Sequence, residues 1–485
     1  MMNKSELSNY IDDIKNTLTD LSDNVWDYAE TAFEEYKSVE IFKNLLESHG
    51  FSIQDKVADI DTAFVASYGT GKPVIGILAE YDALSGMSQK ANALTQEPAE
   101  SKTKNGHGCG HNLLGAGSLG AALAVKEYLE KNNKPGTIKL FGCPGEEGGS
   151  GKAFMARDNV FDGLDVAFCW HPMSLNGVLD LSFLANYQIL YKFKGVSAHA
   201  AASPHLGRSA LDAVELMNVG VNFLREHVIQ EARVHYAITN TGGFSPNVVQ
   251  AQAEVLYLIR APKTFQVEEI YQRINKIAQG AALMTETELE IDFVKACANV
   301  VPNKCLGRVL YDNFAVQNFP KYSDEELAFA DAILKTCRRK VETDLSMILG
   351  GNKKDVAEYS KKLAGKSLCD VLLPFYDDES VEFILPGSSD VGDVSWLVPT
   401  AQISAASYSL CTAEHSWQLV SQAKSSIGHK GFILASKVIA GACIDVLENP
   451  EIAEKAKAEL KRRLEDRPYK SAIPQNVKPR AISKL

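Results

Sequence analysis

The sequence predicts an α/β fold with a mainly parallel sheet, into which a small ferredoxin-like domain is inserted. Over the first 185 residues strand-like and helix-like segments alternate, which is typical of a parallel sheet. Residues 186–297 follow the order β-α-β-β-α-β, which forms a sandwich of its own. The first kind of alternation resumes after Pro302, so the small domain interrupts the large one.

The predicted domain boundaries follow from this change of rhythm. The large domain is predicted to contain residues 1–185 and 298–466, and the inserted domain residues 186–297. Both sizes are ordinary for packed domains. Residues 467–485 form a polar tail that contains three prolines and is expected to be loosely ordered.

Periodicity and turn residues place the individual elements. Residues 5–49 predict two amphipathic helices, the second ending where Gly50 can supply a left-handed cap. Residues 74–79 predict a strand buried on both faces. Residues 85–106 predict a long polar loop, which leads into a helix at 112–132. Further strands of the large domain are predicted at 62–68, 137–143, 165–170 and 402–408, and further helices at 150–158, 323–364 and 431–448. The inserted domain is predicted as strand 186–195, helix 207–227, strands 233–240 and 248–260, helix 264–283 and strand 286–295.

Charge and composition exclude several classes of function. Lys and Arg number 50 against 61 Asp and Glu, a net charge of −11 that disfavours nucleic acid and anionic lipid as partners. The apolar stretches stop short of the roughly 18 residues that a membrane span needs, and the N-terminus lacks the apolar core of a signal peptide. Nine scattered cysteines do not resemble a disulfide framework. We therefore expect a cytoplasmic protein without nucleic-acid or membrane partners.

The densest chemical signal is the run Asn-Gly-His-Gly-Cys-Gly-His-Asn at 105–112. His107, Cys109 and His111 are three potential metal ligands within five positions, in a loop that opens a predicted helix. A thiolate and an imidazole suit zinc and neighbouring metals, and the helix N-terminus favours the thiolate. The alternative is a glycine-rich helix entry whose histidines and cysteine are ordinary structural residues.

A second signal, Cys-Pro-Gly-Glu-Glu-Gly-Gly at 143–149, directly follows a predicted strand. Its two carboxylates, Glu146 and Glu147, can divide the work, with one binding a metal and the other taking a proton from water beside it. The alternative is an acidic first turn that complements the dipole of the next helix.

Two more histidines follow predicted strands, His171 in Cys-Trp-His-Pro and His415 in Ala-Glu-His-Ser. Either could be a packed or capped loop histidine. All four motifs, however, fall at the carboxyl ends of strands of one sheet, where ligand chemistry gathers. Five candidate ligands exceed what one open tetrahedral zinc needs and suit two ions. The predicted ligands are Cys109, His111, Glu147, His171 and His415.

In combination these motifs resemble the two-metal aminoacylase and carboxypeptidase family, over about residues 5–450. The inserted domain adds Gly-Val-Ser-Ala-His-Ala-Ala at 195–201 to the resemblance. Within the family, the motifs most closely resemble the amidohydrolase branch, which contains the auxin-conjugate and aminobenzoyl-glutamate hydrolases. Segments 79–84 and 387–396 are most similar to the latter group.

The resemblance implies metal-dependent hydrolysis of N-acyl or N-aroyl amino acid amides, with glutamate conjugates favoured. Two divalent ions, zinc or manganese, would bind. Cys109 would stand where the wider family has a bridging aspartate, and Glu146 would be the general base. Asp82 would hold a ligand imidazole in orientation, as ligand histidines require.

The resemblance also assigns the inserted domain as a lid that mediates dimerisation. His199 would reach a neighbouring subunit's site and stabilise the oxyanion, while Asn247 and Arg260 would hold the substrate carboxylate. The partner would be an identical chain or a related subunit. The alternatives are a solvent-facing histidine for His199 and a surface ion pair for Arg260.

Two other functions remain open at this level. Cys109 could be a nucleophile in a metal-independent hydrolase. The chain could be a non-catalytic or partner-dependent subunit of a larger hydrolase. A zinc deaminase is disfavoured because Cys143-Pro144 is not followed by the required Cys-x-x-Cys.

Overall fold

The computed structural model describes residues 2–100, 103–378, 382–465 and 467–481. Within them the β-strands are β1 (Ser52–Asp55), β2 (Phe64–Thr70), β3 (Val74–Ala79), β4 (Gly136–Gly142), β5 (Val166–Met173), β6 (Gly177–Val178), β7 (Ser182–Phe183), β8 (Ala185–Lys194), β9 (Arg233–Asn240), β10 (Gln252–Ala261), β11 (Glu288–Cys297), β12 (Ile384–Leu385) and β13 (Thr400–Ala406). The α-helices are α1 (Lys4–Asp13), α2 (Lys15–Tyr28), α3 (Tyr36–Ser48), α4 (His111–Asn132), α5 (Gly151–Arg157), α6 (Ala210–Leu224), α7 (Thr264–Thr285), α8 (Lys304–Ala315), α9 (Asp324–Leu334), α10 (Val341–Ile348), α11 (Lys353–Leu363), α12 (Val391–Leu397), α13 (Trp417–Gln422), α14 (Ser426–Glu448) and α15 (Glu451–Leu464).

The large sheet has the strand order β1-β2-β4-β3-β5-β13-β6. Its four central strands, β4, β3, β5 and β13, run parallel, whereas the strands on either side pair antiparallel. Parallel neighbours need long crossovers, which α4 and α5 supply between β3, β4 and β5. The predicted α/β class with a mainly parallel sheet is therefore confirmed.

Helices cover both faces of this sheet. In β3, Ile75 and Ile77 pack with α1, α2, α4, α8 and α14 on one face, while Leu78 packs with α5 and α12 on the other. The prediction that 74–79 is buried on both faces is thus confirmed. With both faces covered, the carboxyl ends of the parallel strands are the open edge at which loops can build a site. Within the described residues no helix is both long and apolar enough to span a membrane.

A second, antiparallel sheet is formed by β8, β9, β10 and β11 in the order β11-β8-β10-β9. Together with α6 and α7 these strands follow the β-α-β-β-α-β order expected from the sequence. Alternate residues of β8, such as Tyr187 and Tyr191, are buried with the helices. We call this unit the lid domain below.

Some local predictions were wrong. The two helices expected over 5–49 are three, because Ile14 interrupts the first with φ −91° and ψ 2°. The strand expected at 248–260 begins only at Gln252.

The tail is not loosely ordered in its described part, residues 467–481. Arg157, at the end of α5, donates from Nη1 to the carbonyl oxygens of Pro474 (3.2 Å) and Val477 (2.7 Å). Arg480 pairs with Asp292 of β11 at 2.8 Å. Because these backbone carbonyls accept hydrogen bonds from an arginine, the tail is ordered although it has no regular secondary structure.

Candidate metal centre

Loops after the parallel strands carry most of the predicted site. Asp82 follows β3, Glu146 and Glu147 follow β4, and His171 lies near the end of β5. His415 lies in the loop between β13 and α13. These strands are neighbours in the sheet, so their carboxyl ends bring the four segments to one edge.

The fifth segment is the start of α4. Gly110 adopts φ +71°, a conformation that glycine takes without strain, and so turns the chain between Cys109 and the first helical residue, His111. The Cys109 thiol lies 3.4 Å from Nε2 of His171. Asp82 lies 2.8 Å from Nδ1 of His111, which leaves Nε2 of His111 facing the site.

The five predicted ligands form two groups that share Cys109. One group contains Cys109, His111 and His171, and the other contains Cys109, Glu147 and His415, with the ligand atoms of each group within 4.8 Å of one another. His107 does not join them, because its ring is buried and contacts the carbonyl of Val25 at 3.0 Å. The structure therefore brings together all five side chains in an arrangement suited to two cations with one shared thiolate.

Two orphaned atoms show that this donor set fits a metal. Nε2 of His111 and Oε1 of Glu147 are buried and make no hydrogen bond, although Oε2 of Glu80 lies 3.3 Å from Nε2 of His111. Buried polar atoms without a partner are rare in proteins and call for a ligand. Imidazole, thiolate and carboxylate together suit Zn²⁺, and the nitrogen and oxygen donors also suit Mn²⁺.

The electrostatics of the cluster point the same way. Burial, reinforced by the charge of Glu147, raises the pKa of the Cys109 thiol well above its usual range. Burial alone would raise the pKa of Glu147, but the hydrogen bond to His415 and the charge of His111 bring it below its ordinary value. A bound cation would offset the cost of ionising the buried thiol, because coordination to a metal favours the thiolate.

Glu146 differs from its neighbour Glu147. Burial raises its pKa well above the ordinary value, and the carboxylates of Glu80 and Asp390 add to the rise. A carboxylate with a raised pKa is a stronger base and is suited to proton transfer near neutral pH.

Three charged residues beside Glu146 were missed at the sequence level. Nζ of Lys152, in the first turn of α5, lies 2.6 Å from Oε1 of Glu80 and 2.6 Å from Oδ1 of Asp390, and its side chain is fully buried. Oε2 of Glu80 in turn lies 3.3 Å from Nε2 of His111. The sequence signals were weak: Glu80 ends an apolar strand, and Lys152 stands in an otherwise apolar segment.

Glu35 is a fourth residue that no sequence signal marked. Its buried carboxylate accepts hydrogen bonds from the backbone N–H groups of Gly145 (2.9 Å) and Phe33 (3.0 Å) and from the Thr62 hydroxyl (2.8 Å). It thereby holds the backbone directly before Glu146 in place.

The structure does not bring His199 or Asn247 to the cluster. Both are exposed on the lid domain, where the carbonyl of Asn247 accepts the N–H of Ala200 at 2.9 Å. Nδ1 of His199 accepts the N–H groups of Ala201 (3.2 Å) and Ala202 (3.1 Å). These bonds place the proton of the neutral ring on Nε2. That atom can therefore donate a hydrogen bond to a group that does not belong to this chain.

Arg260, by contrast, lies close to its own chain's site. Its Nη1 donates to the hydroxyl of Ser388 at 3.0 Å across the junction of the two domains. Burial lowers the pKa of Arg260 below its ordinary value, and the charges of Cys297 and Glu146 offset only part of this effect. Arg260 is thus a half-buried cation near Glu146, and it has no carboxylate partner among the ion pairs of the described residues.

Comparisons with known proteins identify the family of this chain. A model of peptidase family M20/M25/M40 matches residues 76–290. The B subunit of p-aminobenzoyl-glutamate hydrolase from Escherichia coli (strain K12) is 47% identical and covers 98% of this chain and 99% of its own length. The Xaa-Arg dipeptidase of Mus musculus is 30% identical over 64% of this chain and 70% of its own length.

Among solved structures, a dinuclear metal-binding peptidase of the M20 family from Bacillus subtilis has the same fold. Its TM-score is 0.55 at 18% identity, over 90% of this chain and 99% of that one. The family resemblance drawn from the motifs is confirmed. The chain belongs to peptidase family M20/M25/M40 and is a hydrolase that cleaves amide bonds.

Proposed function

We propose that the chain is a two-metal amidohydrolase that cleaves N-acyl or N-aroyl amino acids, with aminobenzoyl-glutamate-like substrates favoured. The observation that carries the proposal is the sharing of Cys109 by two groups of ligands, with the carboxylate of Glu146 close to His111 of the first group. The Escherichia coli relative, named as part of p-aminobenzoyl-glutamate hydrolase, supports the substrate class. Divalent zinc or manganese ions held there would supply the Lewis acidity that makes water a nucleophile at neutral pH.

The side chains divide the remaining work. Glu146 takes the proton of the attacking water and returns it to the leaving amine, a role that suits its raised pKa. Nε2–H of His199, supplied by a neighbouring subunit, donates to the developing oxyanion. Arg260 and Asn247 bind the carboxylate of the released amino acid through charge-assisted and neutral hydrogen bonds. Asp82 holds His111 through Nδ1, so that Nε2 would be available to bind a cation.

The lid domain supports a dimer. Phe223 of α6 is 71% exposed and Val219 is 52% exposed, and β9 is an edge strand of the lid sheet. Exposed apolar side chains and an edge strand are two features that a partner chain can cover. We propose a homodimer in which each lid serves the other subunit. A related chain could take the same place, since the relative with 47% identity is named as one subunit of its hydrolase.

We also propose a cytoplasmic location. All nine cysteines are free, and a reducing compartment keeps thiols in that state.

A metal-independent cysteine hydrolase is disfavoured. Burial raises the pKa of Cys109 well above its usual range, whereas a nucleophilic cysteine needs a lowered pKa.

The decisive experiment compares Glu146→Gln with its neighbour variant Glu147→Gln. Glu146→Gln is expected to retain its metal content and to lose about 10²- to 10⁴-fold in turnover of p-aminobenzoyl-glutamate, because an amide cannot accept the proton. Glu147→Gln is expected to lose metal as well. Turnover above a tenth of wild type in the metal-loaded Glu146→Gln variant would assign the base elsewhere.

A further inference from the structure

His415 is the least protected of the candidate ligands. Its side chain is 52% exposed, whereas that of His111 is fully buried. Its backbone adopts φ +55°, a left-handed conformation that a residue with a side chain keeps only when its surroundings hold it. Its N–H donates to the carbonyl of Gly108 at 2.8 Å, and Nε2 lies 3.2 Å from Glu147. The position of this ligand therefore depends on how its loop is held.

The helices α9, α10 and α11, for which the sequence indicated no function, lie beside that loop. Leu345 of α10 and Leu363 of α11 share a buried apolar cluster with Leu410 and Cys411, and the Ser409 hydroxyl donates to the carbonyl of Ala330 in α9 at 2.9 Å. Arg339, between α9 and α10, donates from Nη1 to Oε2 of Glu414, the residue directly before His415, at 2.9 Å. The same nitrogen lies 3.5 Å from Oδ1 of the buried Asp344 in α10. Arg339 thus ties the helical segment to the neighbour of a candidate metal ligand.

Weaker contacts hold the residues on either side of His415. Gln418, in the first turn of α13, donates to the Thr336 hydroxyl at 3.2 Å. Cys337 and Thr412 approach to 4.0 Å between sulfur and oxygen. The helical segment therefore contacts the loop before His415 and helix α13 after it, and Arg339 and Glu414, each about two-thirds buried, form a charged contact between the segment and the loop.

We infer that residues 324–363 serve as a support for the second metal group, and that Arg339 is a positioning residue for His415. The inference rests on the proposed two-metal function. Residues that orient a ligand from behind typically change metal affinity by about 10- to 100-fold when they are removed. Loss of Arg339 should therefore weaken binding in the Cys109–Glu147–His415 group and spare the Cys109–His111–His171 group.

The test measures metal content of the full-length protein after equilibration with buffered Zn²⁺ or Mn²⁺ over a range of free concentrations. Wild type is expected to bind two ions per chain. Arg339→Gln is expected to keep the first and to need about 10- to 100-fold more free metal for the second. Arg338→Gln, at the neighbouring position, is the matched control and should bind as wild type does. Arg339→Lys should restore part of the loss, because it keeps the charge.

Two further variants separate the possible failures. His415→Ala should abolish the second ion, and if it does not, or if wild type binds no second ion, the proposed two-metal function fails with the inference. Glu414→Gln breaks the same contact from the loop side and should reproduce the Arg339→Gln shift, also if the latter folds poorly. If His415→Ala loses one ion while Arg339→Gln and Glu414→Gln bind as wild type does, the support role is overturned and the function stands.

Discussion

Replacement of Lys152 by methionine should be the most destabilising single change near the site. Its ammonium lies 2.6 Å from a carboxylate oxygen of Glu80 and 2.6 Å from one of Asp390, and the three side chains are at most 6% exposed. Methionine keeps much of the length and removes the charge, which leaves Asp390 buried without a counterion and Glu80 with only His111 beside it. Removal of one partner from a buried ion pair costs about 3–5 kcal/mol. We expect a loss of that size in the free energy of unfolding at neutral pH.

The assay is equilibrium urea unfolding of the Lys152→Met variant and of wild type. Lys335→Met, at an exposed lysine directly after α9, is the control. Burial already raises the pKa of Asp390 above its ordinary value, and the loss of the Lys152 charge raises that pKa further. The penalty is then full above that raised pKa and shrinks as the pH falls through it. A Lys152→Met, Glu80→Gln, Asp390→Asn triple variant should recover most of the loss, because no buried charge is left unpaired. A loss below about 1 kcal/mol, or a triple variant no more stable than the single one, would show that the ammonium does not balance these acids.

Four further outcomes are expected. Cys109→Ser should lower metal content along with activity, since a hydroxyl is a far weaker ligand than a thiolate; unchanged metal content by elemental analysis would favour a nucleophilic cysteine. A mixed dimer of His199→Ala and Glu146→Gln chains should regain activity that both parent dimers lack, because one of its sites combines an intact base with an intact donor; no recovery after confirmed subunit exchange would remove His199 from the neighbour's site. Arg260→Ala should mainly raise KM for glutamate conjugates and spare amides without a carboxylate, as steady-state kinetics on paired substrates can show. Burial raises the pKa of Asp393 to about 7, so its ionised form destabilises the fold. Relative to Asp393→Asn, the wild type should therefore lose on the order of 4 kcal/mol in its free energy of unfolding by urea as the pH rises from about 4 to 7. A difference that does not change with pH would contradict this.

The parts of the site that could be predicted are those with a local signature. Glu146, Glu147 and His171 lie at or beyond the ends of strands whose apolar runs are visible in the sequence. Cys109 and His111 are separated by a glycine at the start of a helix, and both the spacing and the helix were visible too. Parallel topology then brings such strand ends together, so separate local motifs form one cluster in space.

The parts that could not be predicted depend on partners far apart in the chain. Lys152 and Asp390 are 238 residues apart, and Glu35 meets Gly145 across 110 residues. Nothing in the local sequence around Lys152 or Glu35 shows which distant group will pair with it. The same holds for Arg339, whose partner Glu414 lies 75 residues further on. The family resemblance predicted the metal ligands from their motifs. It did not predict the residues that position those ligands through contacts outside the site.

The ordered tail makes the lid and the body mechanically dependent on each other. Arg157 of the large domain donates to two carbonyl oxygens of the tail, and Arg480 of the tail pairs with Asp292 in the sheet of the lid domain. The tail therefore connects the two domains. If the lid domain has to move away from the large domain for substrate to enter, these tail contacts have to stretch or break. Proteolytic trimming of the tail, or an affinity tag fused to it, would therefore change how easily substrate enters and product leaves while every catalytic group stays intact. A tag placed at the other end of the chain would leave this restraint in place.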